Sequence, residues 1–371
     1  MGLGKRLELH DIMNKTRIIL IGSAGLFLIG AWLLIAHHSS RQPELRTTPP
    51  LDLIALLEKT LEHHQSVFLS PELYRFVPPG KLPLLVSRQD AVTAVSNTSN
   101  FYRLNREHHF SLLILGTLQP STRLTRDLAD SPLWVLSDVS PWGYILSPKT
   151  TGKASWIPPS AKDLSQQFPD AVKKSEWLIS TSENLITIGK THDAEELLQI
   201  ASSTGKCLSS LQSAQASLAA AQGRWNDALS AAIMAHRLDS ENESAAEILV
   251  RALTECGQPD KALDVARQLT ERIKNQETFF LLARAANVAN SKEEEVRALR
   301  SLVTLARENH QQLGASLTYL GQAYARNGER GEALRTFQEA LGQGELTEEQ
   351  RRLLRQLIEH LTPESPVSRK N

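Results

Sequence analysis

The sequence predicts a mainly α-helical protein: a solenoid of helical hairpins, preceded by one transmembrane helix and a small α+β domain. Residues 18–36 form a run of nineteen residues without a charge. Eleven of the seventeen prolines fall between Pro71 and Pro169, whereas alanine and leucine dominate residues 171–361, in which Pro259 is the only proline. In that alanine-rich part, small residues recur every thirty-four positions, a period typical of helical repeats.

The composition limits the function classes. A chain of 371 residues is long enough for two domains. It carries 41 basic and 41 acidic residues, so it lacks the basic field of a nucleic-acid-binding protein. The two cysteines, Cys207 and Cys256, are too few for a disulfide scaffold and are not in C-x-x-C spacing. We predict no nucleic-acid partner, no cofactor and no metal ion.

The uncharged run 18–36 (IILIGSAGLFLIGAWLLIA) predicts a membrane helix. At about 1.5 Å per residue it spans roughly 28 Å, close to the hydrocarbon thickness of a bilayer. A signal peptide is the alternative, but its apolar region would be shorter and would end at an A-x-A site, which the sequence Ala36-His37-His38 does not provide. We therefore favour an uncleaved anchor.

More basic residues precede this run than follow it. Four precede it and two follow it within a short distance: Lys5, Arg6, Lys15 and Arg17, then Arg41 and Arg46. Because positive charge favours the cytoplasmic side, segment 1–17 is predicted to be cytoplasmic. The rest of the chain is then extracytoplasmic, and periplasmic if the source is bacterial.

A tether and an amphipathic segment follow the membrane run. Residues 37–50 are polar and end in two prolines, as in a short extended linker. Leu53, Leu57 and Leu61 lie on one face of a predicted helix over 51–64. The pattern covers too few heptads for a dimerising coil, so we expect this helix to pack on the domain that follows. We assign 51–170 to this helix and the small α+β domain.

The proline-rich part alternates strand-like and turn-like segments. Four apolar runs are predicted to be strands: 82–86, 110–116, 132–139 and 144–148. Ser140-Pro141-Trp142-Gly143 has turn-forming residues at the favoured positions, so the last two strands should form a hairpin. Between the second and third strands, 121–131 is predicted to be a helix capped by Ser121.

The α+β domain also offers the alternative function, an enzyme of the hydrolase or transferase type with the repeats as a partner arm. Ser137 and Asp138 lie near the hairpin, and His108 and His109 precede a strand. However, the chain has no G-x-S-x-G elbow. Adjacent histidines on a strand would point to opposite faces and would not chelate one metal. We therefore predict no catalytic residues and no enzyme.

The stretch ITIGKTHDAEE (186–196) ends like a phosphate-binding loop, since it contains Gly189-Lys190-Thr191. A complete loop needs a further glycine five positions before Gly189, because glycines let the backbone wrap the phosphates. That position is Asn184. We therefore predict no nucleotide site here and seek another role for Gly189.

Gly189 belongs to a register of small residues. Gly223 and Gly257 follow it at steps of thirty-four residues. The alanines five positions after each glycine keep the same period: Ala194, Ala228 and Ala262. Glycine can adopt the left-handed conformation that ends a helix, and alanine lets two helix backbones approach closely. We therefore interpret Gly189 as a helix-ending residue.

Two segments show the repeat most clearly: 218–240 (LAAAQGRWNDALSAAIMAHRLDS) and 319–341 (YLGQAYARNGERGEALRTFQEAL). Through these segments the chain resembles the tetratricopeptide repeat family, whose unit is a helix–turn–helix. In the second, the matching residues are Leu320, Gly321, Tyr324, Gly328, Ala333, Phe337 and Ala340. A looser copy over 280–303 has Asn290 in place of the turn glycine and Glu295 in place of the alanine.

The resemblance implies five repeats within 171–347: 175–208, 209–242, 243–275, 276–309 and 314–347. Residues 348–361 then form a closing helix with a polar outer face, as stacked repeats require. The tail 362–371 is predicted to be disordered.

The resemblance also implies a function. Members of the family bind proteins or peptides on the face formed by the first helix of each repeat. Six residues of this chain are predicted to lie on that face: Arg251, Phe280, Arg284, Asn287, Gln322 and Arg326. Three arginines beside an aromatic ring suit an acidic or C-terminal peptide segment. The predicted function is a membrane-anchored scaffold or adaptor for protein–protein interaction, in envelope assembly, secretion or chaperoning.

Overall fold

A computed structural model describes residues 66–77, 86–96, 98–117, 119–152, 154–309, 312–344, 346 and 348–362. Outside these residues lie the predicted segments 1–17, 18–36, 37–50 and 51–64, and all of the tail except Thr362. Within the described part of the chain, no helix is both long and apolar enough to cross a bilayer. The chain divides into two compact units, one ending at Lys206 and the other starting at Cys207.

The first unit contains a mixed four-stranded sheet. Its strands are β1 (Val67–Leu69), β2 (Leu112–Gly116), β3 (Trp134–Ser140) and β4 (Gly143–Pro148). They lie in the order β1-β2-β4-β3, with β1 parallel to β2 and β4 antiparallel to both neighbours. Every residue of β1 and β2 is buried, which explains why both read as continuous apolar runs rather than alternating ones.

Helices complete the first unit. They are α1 (Arg88–Ser96), α2 (Thr98–His108), α3 (Gln119–Ala129), α4 (Ala161–Gln167), α5 (Ala171–Thr187) and α6 (Thr191–Thr204). Short 3-10 turns span Pro71–Phe76 and Lys149–Thr151. The helices α1 and α2 connect the parallel strands β1 and β2, because such strands need a long crossover.

Most of the strand predictions agree with the structure. Three predicted strands are confirmed, and the last two form the predicted hairpin, in which Ser140 pairs with Gly143. Four of the five residues of the predicted strand 82–86 lie outside the described residues. The helix predicted over 121–131 is present as α3, but Ser121 is not its cap. The helix begins at Gln119, and the Ser121 side chain is buried in its first turn.

The helix α5 joins the sheet. The hydroxyl of Tyr144, in β4, donates a hydrogen bond to the carbonyl oxygen of Asn184 (3.1 Å). The Asn184 amide in turn donates to the carbonyl oxygen of Ser140 at the hairpin (2.8 Å). Arg126, on α3, donates to the carbonyl oxygen of Thr187 in the last turn of α5, where a cation also complements the helix dipole. The first helical hairpin therefore belongs to the same compact unit as the sheet.

The second unit consists of helices. They are α7 (Leu208–Ala221), α8 (Trp225–Leu238), α9 (Glu243–Glu255), α10 (Pro259–Arg272), α11 (Gln276–Val288), α12 (Lys292–Asn309), α13 (Leu313–Arg326), α14 (Arg330–Leu341) and α15 (Glu348–Leu361). Each odd-numbered helix from α7 to α13 packs against the next one in sequence, and each pair packs on the following pair. The second unit thus has the tetratricopeptide-like repeat fold that the sequence predicts.

The turns within the hairpins explain the register. The turn residue has a positive φ in all five hairpins: Gly189 (84°), Gly223 (74°), Gly257 (71°), Asn290 (56°) and Gly328 (83°). The next residue donates its backbone N–H to the carbonyl oxygen five positions back, at 2.8–2.9 Å. This bond is typical of helices that end in a left-handed residue. The five turn predictions are confirmed, including asparagine as the substitute for glycine.

The GKT sequence is therefore part of a turn between helices. α5 ends at Thr187, Gly189 is the left-handed residue of the turn, and α6 begins at Thr191. The Nζ of Lys190 lies 3.4 Å from the Oδ1 atom of Asp130 in the same unit. The lysine is thus engaged by a carboxylate of the α+β part.

Close approach of the helices depends on small residues. Ala228, Ala262 and Ala333 have no exposed surface, as the repeat register predicts. On α13, a Cβ atom added to Gly321 would lie 2.5 Å from the buried ring of Phe337 on α14. That separation is far below van der Waals contact, so Gly321 is needed for the ring to pack.

The closing helix α15 is fixed near both ends by arginines. Arg351 donates to the carbonyl oxygens of Leu341 (3.0 Å) and Gln343 (2.8 Å) at the end of α14. Arg330, at the start of α14, donates to the carbonyl oxygen of Leu361. These bonds satisfy helix-end carbonyls that have no partner within their own helix.

Candidate functional site

The predicted site residues all lie on three first helices of the second unit. Arg251 is on α9; Phe280, Arg284 and Asn287 are on α11; Gln322 and Arg326 are on α13. We call the surface formed by these residues the first-helix face. Arg251, Arg284 and Gln322 each stand six positions before the left-handed turn residue of their hairpin, so the repeat brings them to equivalent places on successive helices.

Arg284 is held by an ion pair between helices. Its Nη2 lies 2.6 Å from Oε1 of Glu255 on α9, and both side chains are about one quarter to one third exposed (24% and 30%). Partial burial lowers the pKa of Arg284, whereas the charge and hydrogen bond of Glu255 raise it. The sequence prediction treated Arg284 as an open cation. The structure shows that it is already paired within the chain.

Arg251 lies beside this pair but is not part of it. Among the described residues it forms neither a hydrogen bond nor an ion pair, and its Nε is buried without a partner. Burial lowers its pKa to about 10, and the neighbouring charge of Arg284 acts in the same direction. Glu247 and Glu255, one helical turn to either side, oppose this shift without cancelling it.

An aromatic contact lies one turn from Arg284. The ring of Phe280 is half-buried and meets the ring of Tyr319 on α13, with centroids 5.1 Å apart and an interplanar angle of 56°. Tyr319 is only 6% exposed, and its hydroxyl has no hydrogen-bond partner among the described residues. Val288, at the end of the same stripe of α11, is 47% exposed. This part of the first-helix face is therefore apolar and partly open.

Arg326 does not join the other two arginines. It forms an ion pair with Glu295, which stands at the start of α12 and is buried (4% exposed). Burial raises the pKa of Glu295, and the charge of Arg326 lowers it. A buried carboxylate needs such a partner. Glu295 stands where the repeat usually has a small residue. Its ion pair engages Arg326, an arginine that we expected to bind a ligand.

Three residues of this surface were not predicted from the sequence: Glu255, Tyr319 and Val288. Glu255 carried a usable signal, since it stands four positions after Arg251 and so shares its helix face. The other two carried none, because an aromatic or aliphatic residue in a repeat is usually core. Asn287 is half-buried on the face, and the Oε1 of Gln322 is buried without a partner in the part of the chain that the structure describes.

The structure does not bring together the residues considered for catalysis, which are Ser137, Asp138 and His108 or His109. The hydroxyl of Ser137 donates to Ser147 (2.8 Å), and Asp138 accepts from the backbone N–H of Val139 (2.9 Å). Asp138 pairs with Ile145, which pairs with Ile114 in the middle of β2. The histidines precede β2 and lie two strands away from β3, which separates them from Asp138 by more than roughly 10 Å.

The two histidines also differ from the sequence interpretation. His108 ends α2 and stacks on Phe110 (5.6 Å between centroids), and His109 adopts a left-handed backbone conformation. They are therefore not on a strand. Within the residues that the structure describes, no group of three or more His, Cys, Asp or Glu side chains is placed to hold a metal ion.

No protein-family model matches the sequence, and no curated protein is significantly similar to it. Among solved structures, MamA (residue 41 to the end) from Desulfovibrio magneticus RS-1 is 17% identical, with a TM-score of 0.40, covering 46% of this chain and 94% of that one. YrrB, described as a TPR protein with an unusual peptide-binding site, is 14% identical (TM-score 0.41; 54% and 100%). TTC0263, a thermophilic TPR protein of Thermus thermophilus, is 15% identical (TM-score 0.40; 48% and 96%). Since these TM-scores are low, the repeat fold rests on the helix pairs and turns of this chain.

Proposed function

We propose that this protein is a membrane-anchored scaffold that captures a segment of another protein on its first-helix face. The observation that carries the proposal is Arg251, a half-buried cation whose Nε has no acceptor and which forms no ion pair among the described residues. A buried N–H group that lacks an acceptor costs free energy, and a ligand that supplies one recovers it. The half-buried ring of Phe280, on the next first helix, gives a ligand apolar surface to cover.

Membrane attachment comes from the sequence. The uncharged run 18–36 anchors the chain with its N-terminus in the cytoplasm, and a polar tether separates the anchor from the folded units. A repeat surface held near a membrane suits a partner that also works there, as in envelope assembly, secretion or chaperoning. No catalytic step is assigned to the protein.

Membrane attachment has a direct test. We expect the native protein to remain in the membrane pellet after washing with carbonate and with high salt, because a spanning helix is not held by charge. Its N-terminal sequence should be intact. Recovery of a soluble form that begins shortly after residue 36 would show that 18–36 is a cleaved signal peptide instead.

Partner capture can be tested with two matched variants. Val288 on α11 and Met234 on α8 are equally exposed (47% and 48%), but only Val288 lies on the first-helix face. We expect Val288→Arg to remove the partner from affinity purifications of detergent-solubilised membranes, because the new side chain covers the face. Met234→Arg should leave its recovery unchanged. Equal recovery with both variants would refute capture on this face.

A further inference from the structure

We infer that the first-helix face recognises an extended segment in which an apolar side chain and a carboxylate stand three or four positions apart. The carboxylate binds Arg251, and the apolar side chain packs on Phe280. This inference rests on the proposed function and specifies its ligand. Three features support it: the ion pairs of Arg284 and Arg326, the contact of Phe280 with Tyr319, and the spacing between Phe280 and Arg251.

Arg284 and Arg326 are paired with glutamates, which leaves Arg251 as the anion-binding group. Arg284 donates to Glu255 at 2.6 Å, and Arg326 is engaged by Glu295. Arg251 alone among these three arginines forms no ion pair within the described residues. A guanidinium presents five N–H donors and no acceptor, so its matching ligand is a carboxylate. Arg284 adds positive charge beside it.

The neighbouring carboxylates do not fill this role. Glu255 stands one turn from Arg251 but directs its Oε1 at Arg284 on the neighbouring helix. Its charge and that of Glu247 balance part of the positive charge of the two arginines. One bound carboxylate therefore suits this surface better than a strongly acidic segment, which Glu247 and Glu255 would repel.

The contact between Phe280 and Tyr319 indicates that the ligand also carries an apolar side chain. Phe280 is half-buried against Tyr319, so part of its ring remains open to a ligand. Val288 continues this apolar surface along the same stripe of α11. An aliphatic or aromatic side chain placed on Phe280 would remove apolar surface of both molecules from water.

The spacing links the two contacts. Phe280 and Arg284 are four residues apart on α11, which is about 6 Å along the helix axis. Arg251 occupies the place equivalent to Arg284 on α9. Since α9 and α11 lie side by side and neighbouring helix axes are about 8–10 Å apart, Phe280 and Arg251 are separated by roughly 10–12 Å. An extended chain advances about 3.3 Å per residue, so one ligand segment can reach Phe280 with one side chain and Arg251 with a side chain three or four positions away.

The test uses the full-length protein in detergent and a random library of short peptides blocked at both ends. We expect enrichment of sequences with Leu, Ile, Phe or Met at one position and Asp or Glu three or four positions away. A second library with free C-termini tests whether the terminal carboxylate can replace the side chain. Enrichment only in that library would assign the anion to a chain terminus and overturn the inference of an internal acidic side chain.

Arg251→Gln identifies the contact. It removes the positive charge without breaking an ion pair, so the helices should stay folded, which a circular-dichroism melt verifies. We expect the enriched peptides to bind this variant roughly 10- to 100-fold more weakly, as for the loss of a charge-assisted hydrogen bond. Arg297→Gln, an exposed arginine on α12, makes the same change in net charge and should bind normally.

The outcomes separate this inference from the proposed function. Enrichment without acidic residues, no enrichment, or equal binding to Arg251→Gln and wild type would overturn the inference. The proposed function would still stand if Val288→Arg abolished partner capture. If Val288→Arg had no effect on capture, the proposed function itself would fail.

Discussion

Replacing Tyr144 by alanine will lower the free energy of unfolding of the first unit by about 3–5 kcal/mol, the usual loss for a buried aromatic ring. Tyr144 has no exposed surface and lies in β4, between β2 and β3. Its hydroxyl also reaches the carbonyl oxygen of Asn184 on α5. The substitution therefore creates a cavity in the sheet and removes a contact that holds the first helical hairpin to it.

Tyr144→Phe is the control for this prediction. It keeps the ring and loses only the hydroxyl with its hydrogen bonding, so we expect a loss of about 1 kcal/mol. Urea unfolding followed by tryptophan fluorescence measures both variants, because Trp134 and Trp142 lie in the same sheet and hairpin. Equal losses for the two variants would show that the ring does not fill the core as described.

Replacing Ala333 by tryptophan will destabilise the second unit by about 1–3 kcal/mol or more, since an overpacked core must shift to accept added volume. Ala333 and Phe337 are one turn apart on α14, and neither has exposed surface. The neighbouring α13 already needs Gly321 to make room for the Phe337 ring. No space remains between these helices for an indole.

Gln338→Trp is the matched control, because Gln338 is exposed on the same helix. Its thermal melting should stay close to that of the wild type. Ala228→Trp, at the equivalent buried position of α8, should repeat the loss seen with Ala333→Trp. If both buried substitutions melt like Gln338→Trp, these alanines do not face a neighbouring helix.

The repeat fold could be predicted because its signals are local. A helix that must reverse within a few residues needs a left-handed residue, and the spacing of Gly223, Gly257 and Gly328 therefore fixes the hairpins. Asn290 fits the same rule. The β3–β4 hairpin was predictable for the same reason, since Pro141 and Gly143 specify a tight turn between two apolar runs.

The contacts that define the site could not be predicted in this way. The pairs Arg284–Glu255 and Arg326–Glu295 join residues about thirty positions apart in sequence, and neither partner shows by itself which charge it will meet. As a result, three arginines were expected to be available to a ligand, whereas Arg251 is the one that the described residues leave without an ion pair. The attachment of α5 to the sheet through Tyr144 and Asn184 is equally non-local.

In the α+β part, the sequence signals were too short. β1 has three residues, and α1 combines a weak apolar pattern with Thr and Ser residues. These elements are fixed by burial against the rest of the sheet rather than by their own propensity. The same limitation led to the treatment of His108 and His109 as strand residues, although His108 ends a helix and His109 has a left-handed backbone conformation.

The most direct test of the proposed function is photocrosslinking in native membranes. A photoreactive phenylalanine analogue is placed at Val288, on the first-helix face, or at Met234, on a second helix, two sites of nearly equal exposure. The proposal predicts a discrete protein adduct from position 288 and none from position 234. Adducts of equal yield from both positions, or an adduct from position 234 alone, would contradict it.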